Sequence, residues 1–262
     1  MRSELFSTHL TLSALLCSLQ ILGRLVSASM MANFEGWALI VVDMQNDFLA
    51  KEGYYARRMK HEQQVRQGRL TAKDMANQLA HPSPAPTRGF EPRAGYLKPI
   101  IHNICHVIVR SREQQMPIAY LRAVYDQEFS FKPRFLLEHP ERNHYPCKPN
   151  TWGGELIDPI KSLIPLQKTP SREKVIEKNT FNGFFNTNLH EFLQRWNTHT
   201  VAIVGVETHI CVLATAQGAS YHQFKTIILK DGVATAREYR ANYALNIFRD
   251  GFGTTKRSSE LF

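Results

Sequence analysis

Three residues able to act together chemically stand at the ends of three short runs: Asp43, Lys178 and Cys211. Cys211 lies where an apolar strand starting near residue 200 runs into a helix of about 210 to 222. At the first turn of a helix, unpaired amides and the positive dipole end favour a thiolate over a thiol. Cys211 therefore admits two readings: a nucleophile whose pKa is drawn from about 8.5 towards neutrality, or a small buried hydrophobe. Asp43 closes the run Trp-Ala-Leu-Ile-Val-Val-Asp, and taken alone it reads sooner as a helix cap. Lys178 closes Lys-Val-Ile-Glu-Lys, and alone it reads sooner as a solvated charge. Ligands of open α/β sheets bind outside the carboxyl ends of parallel strands, which brings a proton acceptor, a cation and a thiol into one cleft. That set suits covalent acyl transfer, with the carboxylate moving the proton and the ammonium holding negative charge in place.

The elements needed to position these groups follow in alternation. Residues 37 to 43 are continuously apolar, as in a strand buried on both faces. A helix over about 96 to 115 carries Ile100, Ile101, Ile104, Val107 and Ile108 at helical spacing, and a second strand covers 117 to 124. Further helices are expected over 187 to 196 and 237 to 248, and further strands over 225 to 231 and near 252 to 255. Helix 210 to 222 presents Val212, Thr215, Ala216 and Ala219, small enough to pack closely on a sheet. The alternation predicts an α/β fold, a three-layer α/β/α sandwich around a mostly parallel, Rossmann-like sheet of about six strands. His102 and His106 share a helix face, but Asn103 stands where a metalloprotease motif needs glutamate, so they read as surface or core histidines. Gly-Phe-Gly-Thr-Thr-Lys (251 to 256) mimics half a dinucleotide loop without its third glycine or a following βαβ unit. Neither a nucleotide cofactor nor a metal is expected.

With 262 residues and 43% hydrophobic content, the chain can bury one sizeable core, so residues 30 to 262 are expected to form one domain. Within it, Gly53 to Pro92 reads as an insertion. Thr71 with Asp74 resembles a capping box opening a short helix to about Ala80, and Pro82, Pro84 and Pro86 enforce an extended segment. The net charge of +9 favours anionic substrates, and it is uneven: Lys51 to Asp74 holds seven basic residues against three acidic ones. This basic stretch is open to three readings: a solvated face, an anion-attracting lid over the site, or a polyanion-binding surface. The last lacks interleaved aromatics, and no specific nucleic-acid partner is expected. Cys17, Cys105, Cys147 and Cys211 form no CxxC pair, which fits a reducing compartment. Cys105 is read as a core residue and Cys147 as a loop thiol without special role. Residues 1 to 29 are apolar but interrupted by Ser, Thr and Gln, too polar for a stable membrane span. They read either as a dispensable extension before a start at Met30 or Met31 of a cytoplasmic enzyme, or as a secretory or targeting signal ending near Val-Ser-Ala at 26 to 28.

Four ordered segments resemble the isochorismatase-like cysteine hydrolases, the superfamily of nicotinamidases, N-carbamoylsarcosine amidases, ureidoacrylate amidohydrolases and isochorismatases. They are Ala-Leu-Ile-Val-Val-Asp-Met-Gln-Asn-Asp-Phe (38 to 48), Thr-Trp-Gly-Gly-Glu-Leu (151 to 156), the segment around Lys178, and Gly-Val-Glu-Thr-His-Ile-Cys-Val (205 to 212). The resemblance implies a triad of Asp43, Lys178 and Cys211, a cis peptide between Val206 and Glu207, and an oxyanion hole from the amides of Glu207 and Cys211. It also implies a thioester intermediate and self-association, usually as homodimers or larger assemblies. Retention of the cysteine favours hydrolysis of an amide, ureido or carbamoyl bond. The rivals are isochorismatase chemistry, in which Asp43 alone protonates a vinyl ether, and a non-catalytic anion-binding protein. Nicotinamidases bind a metal through an aspartate and histidines after the second strand, and here no histidine follows Asp126 at that spacing. The closest likeness is to the ureidoacrylate and carbamoyl amidohydrolase branch. Gln45, Phe48, Trp152, Phe184 and Phe185 are candidates for the substrate pocket, and the aromatic four are equally candidates for the core.

Overall fold

In the computed structural model, six strands form one sheet: β1 (Trp37–Val42), β2 (Ile118–Ala123), β3 (Glu173–Lys178), β4 (Thr200–Val206), β5 (Lys225–Ala234) and β6 (Thr254–Lys256). The structure describes residues 34–87, 89–125, 145–165 and 171–262, and the fold is that of the unit Gly36–Phe262. The strand order is β3-β2-β1-β4-β5-β6, and every neighbouring pair is parallel. The sheet is thus wholly rather than mostly parallel. Its order reverses about β1, which places a topological switch point between β1 and β4, where open α/β sheets take their ligands.

The period-two alternation of β1 divides the core. Ala38, Ile40 and Val42 pack with Leu189, Phe192 and Leu193 of α6 (Leu189–Arg195), Ala216 and Ala219 of α7 (Leu213–Tyr221), and Phe248 of α8 (Glu238–Gly251). Leu39 and Val41 alternate to the opposite face and are equally buried. There α4 (Leu97–Glu113) packs across β1, β2 and β5 with Ile101, Ile104, Val107 and Ile108 buried. This gives the three expected layers. His102 and His106 lie on the exposed side of α4. Among the described residues, no helix is long and apolar enough to cross a membrane. Residues 1 to 29, Cys17 and Asp126 lie outside the described residues.

After β1 and the short α1 (Asn46–Leu49), the insertion leaves and returns through a neck. Ala50 bridges Pro92, the Lys51 amide donates to the Glu91 carbonyl at 2.9 Å, and the Arg93 amide to the Leu49 carbonyl at 2.7 Å. Between these ends lie α2 (Tyr54–Arg66) and α3 (Ala72–Ala80), and Thr71 and Asp74 make the reciprocal capping box at the start of α3. Helix α2 was not among the sequence expectations, because it carries no apolar stripe. Tertiary contacts start it instead. The buried Asp47 carboxylate accepts from the Tyr54 amide at 2.9 Å and from the Ser83 hydroxyl, and a Cβ on Gly53 would lie 2.2 Å from the Asn46 carbonyl oxygen. The same carboxylate accepts from the Cys147 amide at 2.7 Å. Cys147, expected as an ordinary loop thiol, is fully buried. The last short helix in chain order between β2 and β3 is α5 (Asp158–Lys161).

Candidate active site

Asp43 follows β1 directly and adopts a φ of 51°, a left-handed conformation uncommon for a residue with a side chain. Such outliers persist where the surroundings over-determine them, and the Asp43 amide is held by the Leu121 carbonyl at 3.1 Å. Lys178, the last residue of β3, reaches across β2 and donates from Nζ to Asp43 Oδ2 at 2.8 Å and to the Thr180 carbonyl at 3.0 Å. Both side chains are wholly removed from solvent. Asp43 Oδ1 makes no full hydrogen bond among the described residues. Cys211 lies in a π-helical turn, Thr208–Val212, that joins β4 to α7. Its thiol interacts with both Asp43 and Lys178. The structure thus gathers the three groups named from the strand ends.

Burial pushes the Asp43 carboxyl up from its usual range, and Lys178, Cys211 and the Ala123 amide draw it partly back. The Lys178 ammonium is opposed by burial, but Asp43 and Cys211 outweigh this and hold its pKa high. Burial also pushes the Cys211 thiol up; Lys178 counters this and Asp43 adds to it. The expected drift towards neutrality at a helix start is therefore overturned. Loss of hydration beside an existing carboxylate outweighs the short turn's dipole. These directions describe a thiol next to an ammonium–carboxylate pair whose Oδ1 has no hydrogen-bond partner among the described residues.

Local sequence brings the turn that carries Cys211 close to β1. Gly205 has a φ of 124°, and a Cβ there would sit 2.1 Å from the Val42 carbonyl oxygen, so only glycine lets β4 lie this near. The following peptide, Val206 to Glu207, is cis. The Glu207 carboxylate is fully engaged. It pairs with Arg93 at 3.0 Å in a nearly solvent-free contact, and accepts from the Thr235 hydroxyl at 2.5 Å and the Ala236 amide at 3.2 Å.

In front of Cys211 opens a cavity of about 560 Å³. Phe48, Glu207, His209, Ile210 and Cys211 border it, while Asp43 and Lys178, which interact with the thiol, are buried away from solvent. Of the other pocket candidates, none borders the cavity. Gln45 is buried and acts as a rivet, donating to the Ala123 and Gly154 carbonyls at 2.8 Å each and accepting from the Ala123 amide at 2.8 Å. The Trp152 carbonyl accepts from Asn46 Nδ2 at 2.8 Å, tying its segment to α1. Phe184 packs in the core near His222 and Phe224, and Phe185 is 49% exposed.

The residues that sequence reasoning missed come mostly from the insertion. Helix α2 supplies Tyr55, Arg58, Met59 and Arg66 to the cavity, and Arg237 and Arg240 at the start of α8 supply more positive charge. Their helical spacing was present in the sequence, but a polar face gives no sign of which side turns inward. Tyr125 is buried beside Cys211 and Asp43. His209, inside the quoted motif, lies 2.9 Å from the Thr235 hydroxyl and 3.5 Å from Arg240, and burial lowers its pKa.

A parallel 3-2-1-4-5-6 sheet with an acid, a lysine and a cysteine at its switch point defines a hydrolase-like α/β site. The chain matches the isochorismatase domain over residues 37–260 and belongs to the isochorismatase family, as an isochorismatase-like hydrolase. Ureidoacrylate amidohydrolase RutB of Acinetobacter baylyi is 24% identical over 210 residues, covering 75% of this chain and 70% of that protein. Among solved structures, nicotinamidase PncA from Bacillus subtilis superposes with a TM-score of 0.61 at 21% identity, over 84% of this chain and 98% of that one. N-carbamoylsarcosine amidase from Thermoplasma acidophilum gives 0.54 at 22% identity, over 85% and 96%.

Proposed function

We propose that the protein is a cysteine-dependent hydrolase that cleaves a C–N bond of a small amide, ureido or carbamoyl compound. The observation that carries this reading is that Cys211 borders the cavity while its thiol interacts with the buried Asp43–Lys178 pair. Asp43 takes the thiol proton as sulfur attacks the carbonyl carbon, and the oxyanion is held by the backbone amides of Glu207 and Cys211. The protonated Asp43 then gives its proton to the leaving nitrogen, the C–N bond breaks, and a thioester remains. Water, deprotonated by Asp43, attacks the thioester, and the acid leaves as the thiol is restored. Lys178 keeps Asp43 oriented and offsets its charge throughout. The likeness to an amidohydrolase and an amidase supports the bond class.

The family's name supports a second reading, vinyl-ether hydrolysis by Asp43 without a covalent step. Cys211→Ala separates the two. Ureido acids, carbamoyl amino acids and primary amides are assayed for ammonia release, with intact-mass detection of an acyl adduct. The variant is expected to lose turnover by about a thousandfold or more and to form no adduct. Turnover that survives in the variant overturns the covalent mechanism.

A further inference from the structure

One face of the insertion helix α2 runs along the cavity, with Tyr55, Arg58, Met59, Glu62 and Arg66 recurring every three or four residues. From Tyr55 to Arg66 the helix axis advances about 16 Å. Chemistry changes along that line. Tyr55 stands near Cys211 and Glu207, and beyond it Arg58 pairs with Glu62 at 2.8 Å. Arg66 ends the face, exposed at the mouth.

The charges on this cavity do not cancel. Its two carboxylates are both committed, Glu62 to Arg58 and Glu207 to Arg93. Arg66, Arg237 and Arg240 border the same space with no carboxylate partner among the described residues. Phe48, Met59, Phe181 and Ile210 add apolar lining to the same cavity. At about 560 Å³, the cavity falls within the range of pockets for drug-sized ligands.

We infer that the substrate is elongated, with its scissile carbonyl at Cys211, an apolar middle against Phe48 and Met59, and an anionic group at its far end bound by Arg66 and Arg240. This specificity rests on the hydrolase reading above, and it is set by the insertion helix together with the start of α8. The basic stretch is then one wall of the substrate site, the second of the three readings left open by its charge.

Primary monoamides of straight-chain dicarboxylic acids of increasing length, each beside its methyl ester, test the inference on the full chain. The kcat/KM for the acids is expected to rise with length, and the longer acids to exceed their esters by about tenfold or more, the worth of one charge-assisted hydrogen bond. Arg66→Gln and Arg240→Gln are expected to pull that acid-to-ester ratio towards one, mainly through KM. The distant Arg249→Gln, which removes the same net charge, is expected to keep it. Short neutral amides cleaved as well as long acids, or a ratio unmoved by Arg66→Gln and Arg240→Gln, overturn the inference and leave the hydrolase reading intact. Should no amide be cleaved, thermal shift with the longest monoamide decides. A rise in Tm with the acid but not its ester, lost in Arg66→Gln and Arg240→Gln, upholds the subsite while the hydrolase reading falls; no shift with either sinks it.

Discussion

An ammonium, a carboxylate and a thiol are each costly to bury, and Lys178, Asp43 and Cys211 are buried together. The arrangement is tolerable because the resting cluster is neutral overall: one cation, one anion and one protonated sulfur. Transfer of the thiol proton to Asp43 keeps that balance, because the negative charge only moves from the carboxylate to the sulfur beside Lys178. Asp43 accepts the thiol proton only when ionised, and burial sets its pKa above 3.8. Below the folded-state pKa the carboxyl already holds a proton, so kcat/KM falls as pH falls through it. The acid limb of the kcat/KM profile is therefore expected above 3.8, as an apparent value belonging to the coupled cluster. A limb at or below 3.8 contradicts Asp43 as the proton acceptor.

Two elements turn these residues into a site. The first is the junction of β4 with the π-helical turn, where Gly205 lets the nucleophile segment lie against the end of β1. Gly205→Ala introduces a Cβ against backbone in a conformation that L-residues rarely adopt. Unfolding in urea is expected to show a loss of about 2 kcal/mol or more, with turnover reduced beyond what partial unfolding explains. The second is α2, a helix whose own sequence gives little reason to fold. Its start is held by the Asp47 carboxylate, and on its inward face the Tyr55 ring packs near Phe48 and Arg93.

For the whole molecule, the sheet order sends β1 and β4 to the centre and so fixes where Asp43 and Cys211 meet. Besides Asp47, Arg93 ties the insertion's base to that centre. Its guanidinium donates to the Phe48 carbonyl at 2.6 Å and to Glu207 at 3.0 Å, and it lies 5.9 Å from the Tyr55 ring. Arg93→Met leaves Glu207 buried without its cation, and a loss of about 3–5 kcal/mol in unfolding free energy is expected. Adding Glu207→Gln should restore part of it, because the stranded charge is gone. Equal stability in the single and double variants would show that the pair is not what holds the insertion down.

Apolar runs, helical periodicity and the Thr71–Asp74 capping box were enough to place the strands, the long α4 and α3, because those signals are local. They also placed Asp43, Lys178 and Cys211 at strand ends, from which the parallel fold brings them together. Three features lay beyond the sequence. The helix α2 and its inward arginines depend on Asp47 and Arg93, contacts between segments far apart in the chain. The pocket candidates Gln45 and Phe184 turned into the core because partners unseen in the sequence, such as the Ala123 and Gly154 carbonyls, took them up. The protonation of Cys211 was decided by burial and by its neighbours across the sheet, since desolvation is a property of the assembled fold and not of the turn that carries the thiol.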